Sequence, residues 1–363
     1  MERAKLRILL THVYAWPEVR RGGERYLHEV AAGLRAAGHD VRIVTTAVRP
    51  HHGNVHGVEV TYLRRRALLR RRFGDLSPEL WFGANALARL MPAPFDVWHA
   101  LGTADAAAAS LAGRLKRAIS VYTDLGISAR SWRSQRPDRR LYETVVSHVD
   151  RYICLSDAAA RSVERDYGRS PYVLGGGVNL DEFSPATSRN PTPVLLFTSD
   201  VSEPRKNFPL LLDALAIVRE TRPDVELWLA GPGSPDQALR DARARDAVVE
   251  LGVGDLAELP ALYGRAWATV LPSGGEAFGL VVLESLASGT PVVTLDDAGP
   301  AELVNSGVGA TSPAAADALA VALHQALDLS QERDIAERCR AAAEPHDWRR
   351  GVIPRLEAIY CGD

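Results

Sequence analysis

Cysteine is scarce in this sequence: three residues in 363, Cys154, Cys339 and Cys361, odd in number and far apart. That pattern supplies neither a disulfide framework nor a zinc site, and it fits a reducing cytoplasm. Long apolar runs are also missing, with nothing approaching the roughly 20 residues of a membrane-spanning helix. The opening Met1-Glu2-Arg3-Ala4-Lys5 leads into Leu6 to Leu10, which is too short for the core of a signal peptide and reads as a first buried strand. No Gly-x-Gly-x-x-Gly opens the first helix, which argues against an oxidoreductase. No Asp-x-Asp or histidine cluster stands where a metal would hold phosphates. No recognised nucleic-acid module accompanies the arginines, so nucleic acid is not an expected partner.

What is present suits a two-domain globular chain: 46% hydrophobic and 24% charged residues over a length too great for one core. The net charge of -2 hides an asymmetry, because residues 1–185 hold 28 Lys/Arg against 19 Asp/Glu and the remainder 15 against 26. A basic half and an acidic half imply two surfaces with different duties. The run Arg64 to Arg72, with Leu68, Leu69 and Phe73, suits contact with an anionic membrane face or solvated surface. Arg130, Arg133, Arg136, Arg139 and Arg140 form a second basic stretch that reads as solvated surface.

Short apolar strands alternate with amphipathic helices in both halves, which predicts doubly wound parallel sheets. Strands are expected at 6–11, 40–46, 95–100, 120–123 and 151–155, with a helix over 24–37 carrying Tyr26, Val30 and Leu34 on one face. The polar, Pro-rich stretch 181–193 reads as the linker, giving domains at 1–185 and 186–347. The second sheet is expected from 194–198, 225–230, 247–251, 268–271 and 291–295. The segment from Asp347 to Tyr360 is expected to cross back and pack, over 348–363, on the first domain.

The most informative stretch is Pro272-Ser273-Gly274-Gly275-Glu276-Ala277-Phe278-Gly279-Leu280, running on through Glu284 to Gly289-Thr290-Pro291. A strand gives way to a Gly-rich turn and a helix expected to begin near Phe278. The amides of Gly279, Leu280 and Val281, with the helix dipole, would form an anion site fit for a diphosphate. A second site follows the strand at 194–198, where Arg205 and Lys206 precede a helix whose buried stripe is Phe208, Leu211, Leu212, Leu215 and Val218. Cations there would stabilise the charge that grows on a leaving diphosphate. In the first half, Gly22 and Gly23 allow close backbone approach, and His12, His99 and Asp124 lie at strand ends, where doubly wound sheets place ligands.

The block from Glu276 to Glu284 resembles the Glu-x7-Glu signature of family 4 glycosyltransferases, whose GT-B fold is two facing Rossmann-like domains with a cleft between them. Gly22-Gly23-Glu24-Arg25, Gly38-His39-Asp40-Val41, Phe95-Asp96-Val97-Trp98-His99 and Gly175-Gly176-Gly177-Val178-Asn179 are similar to that family's other blocks, in the same order. The resemblance implies that Glu276 holds hydroxyls of the donor sugar and Glu284 the nucleotide ribose. Backbone at Phe278, Gly279 and Leu280 would cradle sugar and phosphates, while Gly252 and Val253 edge the base pocket and Gly23 faces the donor. Gly22, His12, His99 and Asp124 would fall to the acceptor. The family's usual Arg five residues before the Lys is Val201 here, a role for which Arg205 is the substitute, and its usual His is Thr123.

The activity so implied is a retaining hexosyl transfer without metal or separate cofactor. Its donor would be a nucleotide sugar, a UDP-sugar ahead of GDP- or dTDP-sugars, and its acceptor a hydroxyl of a lipid, metabolite or glycan. The expected place is the cytoplasm, with peripheral contact at the inner membrane face. An epimerase or phosphorylase of similar fold, and a non-catalytic sugar-nucleotide binder, stand as alternatives.

Overall fold

In the computed structural model the described residues are 5–15, 19, 22–65, 78–130, 138–240, 242–252, 258–297 and 299–362. The chain forms two compact units, Met1–Gly176 with Trp348–Asp363 and Gly177–Asp347. The division thus falls ahead of the expected boundary at 186. Residues 177–185 join the second unit because their polar backbone finds its partners there: Arg340 donates to the carbonyls of Leu180 at 2.8 Å and Phe183 at 2.9 Å, and Val178 bridges to Asp347.

The first unit is built on eight strands: β1 (Arg7–Thr11), β2 (Asp40–Ala47), β3 (His51–Val55), β4 (Val58–Arg64), β5 (Val97–Ala100), β6 (Ile119–Asp124), β7 (Arg151–Cys154) and β8 (Tyr172–Val173), ordered β3-β4-β2-β1-β5-β6-β7-β8. All pair in parallel except the β3–β4 hairpin. The central strands are buried along most of their length, as strands covered on both faces are, and the helix Gly22–Ala36 buries Tyr26, Val30 and Leu34 against them. Trp348–Asp363 completes this unit. Trp348 packs edge-on to Tyr26 at 5.6 Å, Glu357 meets His39 Nε2 at 2.8 Å, and the Arg151 Nε donates to the Ile359 carbonyl at 3.1 Å.

The second unit has six parallel strands, β9 (Val194–Phe197), β10 (Glu226–Leu229), β11 (Val248–Glu250), β12 (Ala268–Leu271), β13 (Val292–Leu295) and β14 (Gly309–Ser312), ordered β11-β10-β9-β12-β13-β14. Chain order reverses between the neighbours β9 and β12, and in the first unit between β1 and β5. Such reversals open a crevice beyond the carboxyl ends of the strands, where open α/β sheets bind ligands. The predicted stripe on the helix Phe208–Thr221 is buried as a face.

Candidate active site

At the reversal in the second unit, the loop after β9 carries Arg205 and Lys206 and the loop after β12 carries Glu276. Three local features hold these loops together. Pro204–Lys206 form one 3-10 turn, closed by the Lys206 amide donating to the Glu203 carbonyl at 2.9 Å. Asn207 then takes a left-handed φ of 50°, which Asn tolerates better than most residues, and its side-chain amide donates to the Pro272 carbonyl at 2.8 Å. The Gly274 amide donates in turn to the Arg205 carbonyl at 3.0 Å.

The outcome is a charge cluster. Lys206 Nζ lies 2.7 Å and an Arg205 guanidinium nitrogen 2.8 Å from the same oxygen, Glu276 Oε2. Arg205 also pairs with Glu203. Lys206 and Glu276 are largely covered, with 13% and 19% of their side-chain surface exposed. Burial acts to raise the Glu276 pKa, but Lys206 and Arg205 outweigh it and hold the carboxyl below its ordinary range. The loop continues into the helix Leu280–Ala287, which starts two residues later than the sequence predicts. Gly279 is its cap, not its first turn, with φ at 90°. Leu280 and Val281 therefore supply the first-turn amides, which no helix satisfies internally. Glu284 is buried inside that helix and accepts a hydrogen bond from the Tyr263 hydroxyl at 2.7 Å. Phe278 is buried beside the His346 ring, 5.9 Å between centroids. Gly252 follows β11 with φ at 74°, while Val253 lies outside the described residues.

In the first unit two expected acceptor residues are corrected. His99 is fully buried, with Nδ1 2.8 Å from the Tyr360 hydroxyl and Nε2 2.7 Å from Thr123 Oγ1. Burial pushes its pKa down to about 3, so the ring is neutral and structural. Asp124 is buried too and accepts from Ser128 at 2.6 Å, Tyr142 at 3.0 Å, Tyr152 at 2.8 Å and the Gly126 amide at 3.2 Å. A carboxylate so surrounded is an anchor for aromatic hydroxyls. His12 stays at the β1 end as expected, its Nε2 3.8 Å from Glu24. Gly22 and Gly23 open the first helix, and a Cβ on Gly23 would come within 2.8 Å of Leu125.

Sequence reasoning missed Tyr263, Asn207, Glu203 and Asp105. The buried Asp105 accepts from Thr11 Oγ1 at 2.7 Å, and burial raises its pKa to about 6 against the pull of His12 and Thr11. Of these, Asn207 alone left a signal, an Asn immediately before a helix with Pro in its first turn. Of the Arg64–Arg72 run, Arg66 onward lies outside the described residues. Arg65 turns inward, donating to Thr46 Oγ1 at 3.0 Å and the Thr46 carbonyl at 3.1 Å, so it is not a free membrane contact. Arg133 and Arg136 also lie outside the described residues. Among the described residues, no helix is long and apolar enough to cross a membrane.

Two family profiles match the chain: "Glycosyltransferase Family 4" over residues 20–182 and "Glycosyl transferases group 1" over 192–328. A phosphatidyl-myo-inositol mannosyltransferase of Propionibacterium freudenreichii is 33% identical over 231 residues, 61% of this chain and 58% of that protein. A D-inositol 3-phosphate glycosyltransferase of Thermobispora bispora is 35% identical over 191 residues, 46% of this chain and 44% of that protein. The matches thus span about half to three-fifths of these curated relatives. Among solved structures, a sucrose-phosphate synthase of Thermosynechococcus elongatus superposes with a TM-score of 0.80 at 20% identity, over 98% of both chains. Anabaena HepE, in complex with UDP and glucose, gives 0.77 at 19% identity over 99% of this chain and 100% of that one. With both units matched in order, the chain belongs to the family 4 glycosyltransferases of GT-B fold.

Proposed function

We propose that this chain is a retaining hexosyltransferase that takes its sugar from a nucleotide-diphosphate donor, a UDP-sugar ahead of GDP- or dTDP-sugars. The observation that carries this reading is the convergence of Lys206 and Arg205 on Glu276 beside the Gly279-capped helix. Cations and first-turn amides at one place suit a diphosphate, and a carboxylate held ionised between them suits sugar hydroxyls, since both its oxygens accept hydrogen bonds. Glu284 would take the ribose, and Gly252 with Val253 would border the base. Lys206 and Arg205 would neutralise the charge that develops as the glycosidic bond to the diphosphate breaks, which removes the need for a metal ion. The acceptor hydroxyl would attack from the face the diphosphate leaves and pass its proton to a donor phosphate oxygen.

The acceptor is a hydroxyl compound that Gly22 and His12 would meet, in a cytoplasmic setting with peripheral contact at an anionic membrane face. The two curated relatives named above act, by name, on inositol-bearing compounds, so inositol phosphates and phosphatidylinositol head the acceptor panel. The test is turnover of UDP-, GDP- and dTDP-hexoses, with the product anomer read by NMR. Lys206→Ala and Glu276→Ala should each lower kcat by about 10²–10³ while leaving the circular dichroism spectrum unchanged. Near wild-type rates in either variant would remove that residue from the site. Donor turnover without any acceptor would instead favour an epimerase, dependence on inorganic phosphate a phosphorylase, and binding without turnover a non-catalytic subunit.

A further inference from the structure

The cations of this site are already shared among the chain's own carboxylates. Arg205 and Lys206 face Glu276 and Glu203, so the cluster is formally neutral. Glu276 has sugar hydroxyls to hold in the proposed reaction, whereas Glu203 has no such duty. It pairs with Arg205 through the Nε edge, while Arg205 reaches Glu276 through its NH1. The backbones of both residues are pinned. The Glu203 carbonyl accepts from the Lys206 amide at 2.9 Å and the Arg205 carbonyl from the Gly274 amide at 3.0 Å. The Arg205 and Glu203 side chains, 46% and 39% exposed, are left to redistribute when a diphosphate arrives. The Arg205 pairs use the Nε and NH1 nitrogens of a guanidinium that has five N–H donors, so a diphosphate can still be met, but the negative charge of Glu203 offsets the pull that Arg205 exerts on it.

We propose that Glu203 is a positioning residue, an internal counter-anion that competes with the diphosphate for Arg205 and so limits how tightly the spent nucleotide is held. This rests on the diphosphate reading of the site. A half-exposed ion pair of this kind is worth up to about 1 kcal/mol, which corresponds to about fivefold in a dissociation constant.

The test is isothermal titration calorimetry of UDP, with GDP and dTDP in parallel, against the full chain. Glu203→Gln should tighten UDP about three- to fivefold, and Glu203→Asp should stay near wild type. Within an Arg205→Ala background, Glu203→Gln should change nothing, an outcome that a general loss of negative charge would not produce. Unchanged or weaker binding by Glu203→Gln, or the same gain in the Arg205→Ala background, would overturn the counter-anion role alone. If folded wild-type protein binds none of the three nucleotides, the diphosphate site falls and this role with it.

Discussion

Asp105 illustrates, at the residue scale, how burial sets the state of a charged group. Its surroundings raise its pKa from an ordinary 3.8 to about 6, burial prevailing over His12 and the Thr11 hydroxyl. The sign follows from proton counting. Between these two values the folded chain holds the proton and the unfolded chain has released it, so stability falls as pH rises from about 4 to about 6. At that size the shift amounts to at most about 3 kcal/mol. In Asp105→Asn the amide oxygen still accepts from Thr11 but nothing titrates. The variant should gain on wild type across this window and hold the gain at pH 7. Melting temperatures of both proteins measured from pH 4 to 7 check this, and parallel curves would refute it.

The helix Leu280–Ala287 is the element on which the site depends, and Gly279 sets where it starts. A side chain at φ 90° is strained, and a Cβ there would also lie 3.0 Å from Pro300 and 3.1 Å from Leu271. Gly279→Ala should therefore cost about 1–2 kcal/mol or more in stability and weaken nucleotide binding at least tenfold, as titration calorimetry would show. Unaltered affinity would mean that the first-turn amides do not meet the ligand. This element was legible in the sequence because a Gly-rich turn, an apolar helix and Gly289 follow one another without a break. Most of the buried strands were legible, to within a residue or two at each end, because apolar residues predominate in them. β3 was not, since His51-His52-Gly53-Asn54 shows no apolar alternation, nor was β14, whose Gly309-Ala310-Thr311-Ser312 is small and half polar; β4 is absent from the expected strands although Val58-Glu59-Val60-Thr61-Tyr62 alternates. Lys206 and Glu276 stand out in the sequence because each follows an apolar strand. The identities of His99 and Asp124 were equally visible, but no single-sequence pattern reveals that Tyr360 and Tyr142 reach them from elsewhere in the chain.

The whole molecule is a chain that builds one unit, then a second, and returns to finish the first. Tyr360 is part of that return, its hydroxyl paired with the buried His99. Tyr360→Phe leaves that imidazole nitrogen unpaired, a loss of about 1–3 kcal/mol. The cost should fall on the unit formed by Met1–Gly176 and Trp348–Asp363. Calorimetry should show its unfolding transition shifted down with that of Gly177–Asp347 unmoved, and equal shifts in both would argue that they unfold as one. Ligand should act the other way, stabilising the second unit by mass action. Hydrogen–deuterium exchange in the presence of UDP, GDP or dTDP is the measurement that bears most directly on a diphosphate held by Lys206 and the Leu280–Ala287 helix. Protection by at least one of them should concentrate in peptides spanning 203–208 and 274–284. No protection there from any of the three, at concentrations up to millimolar, would contradict the proposed donor site.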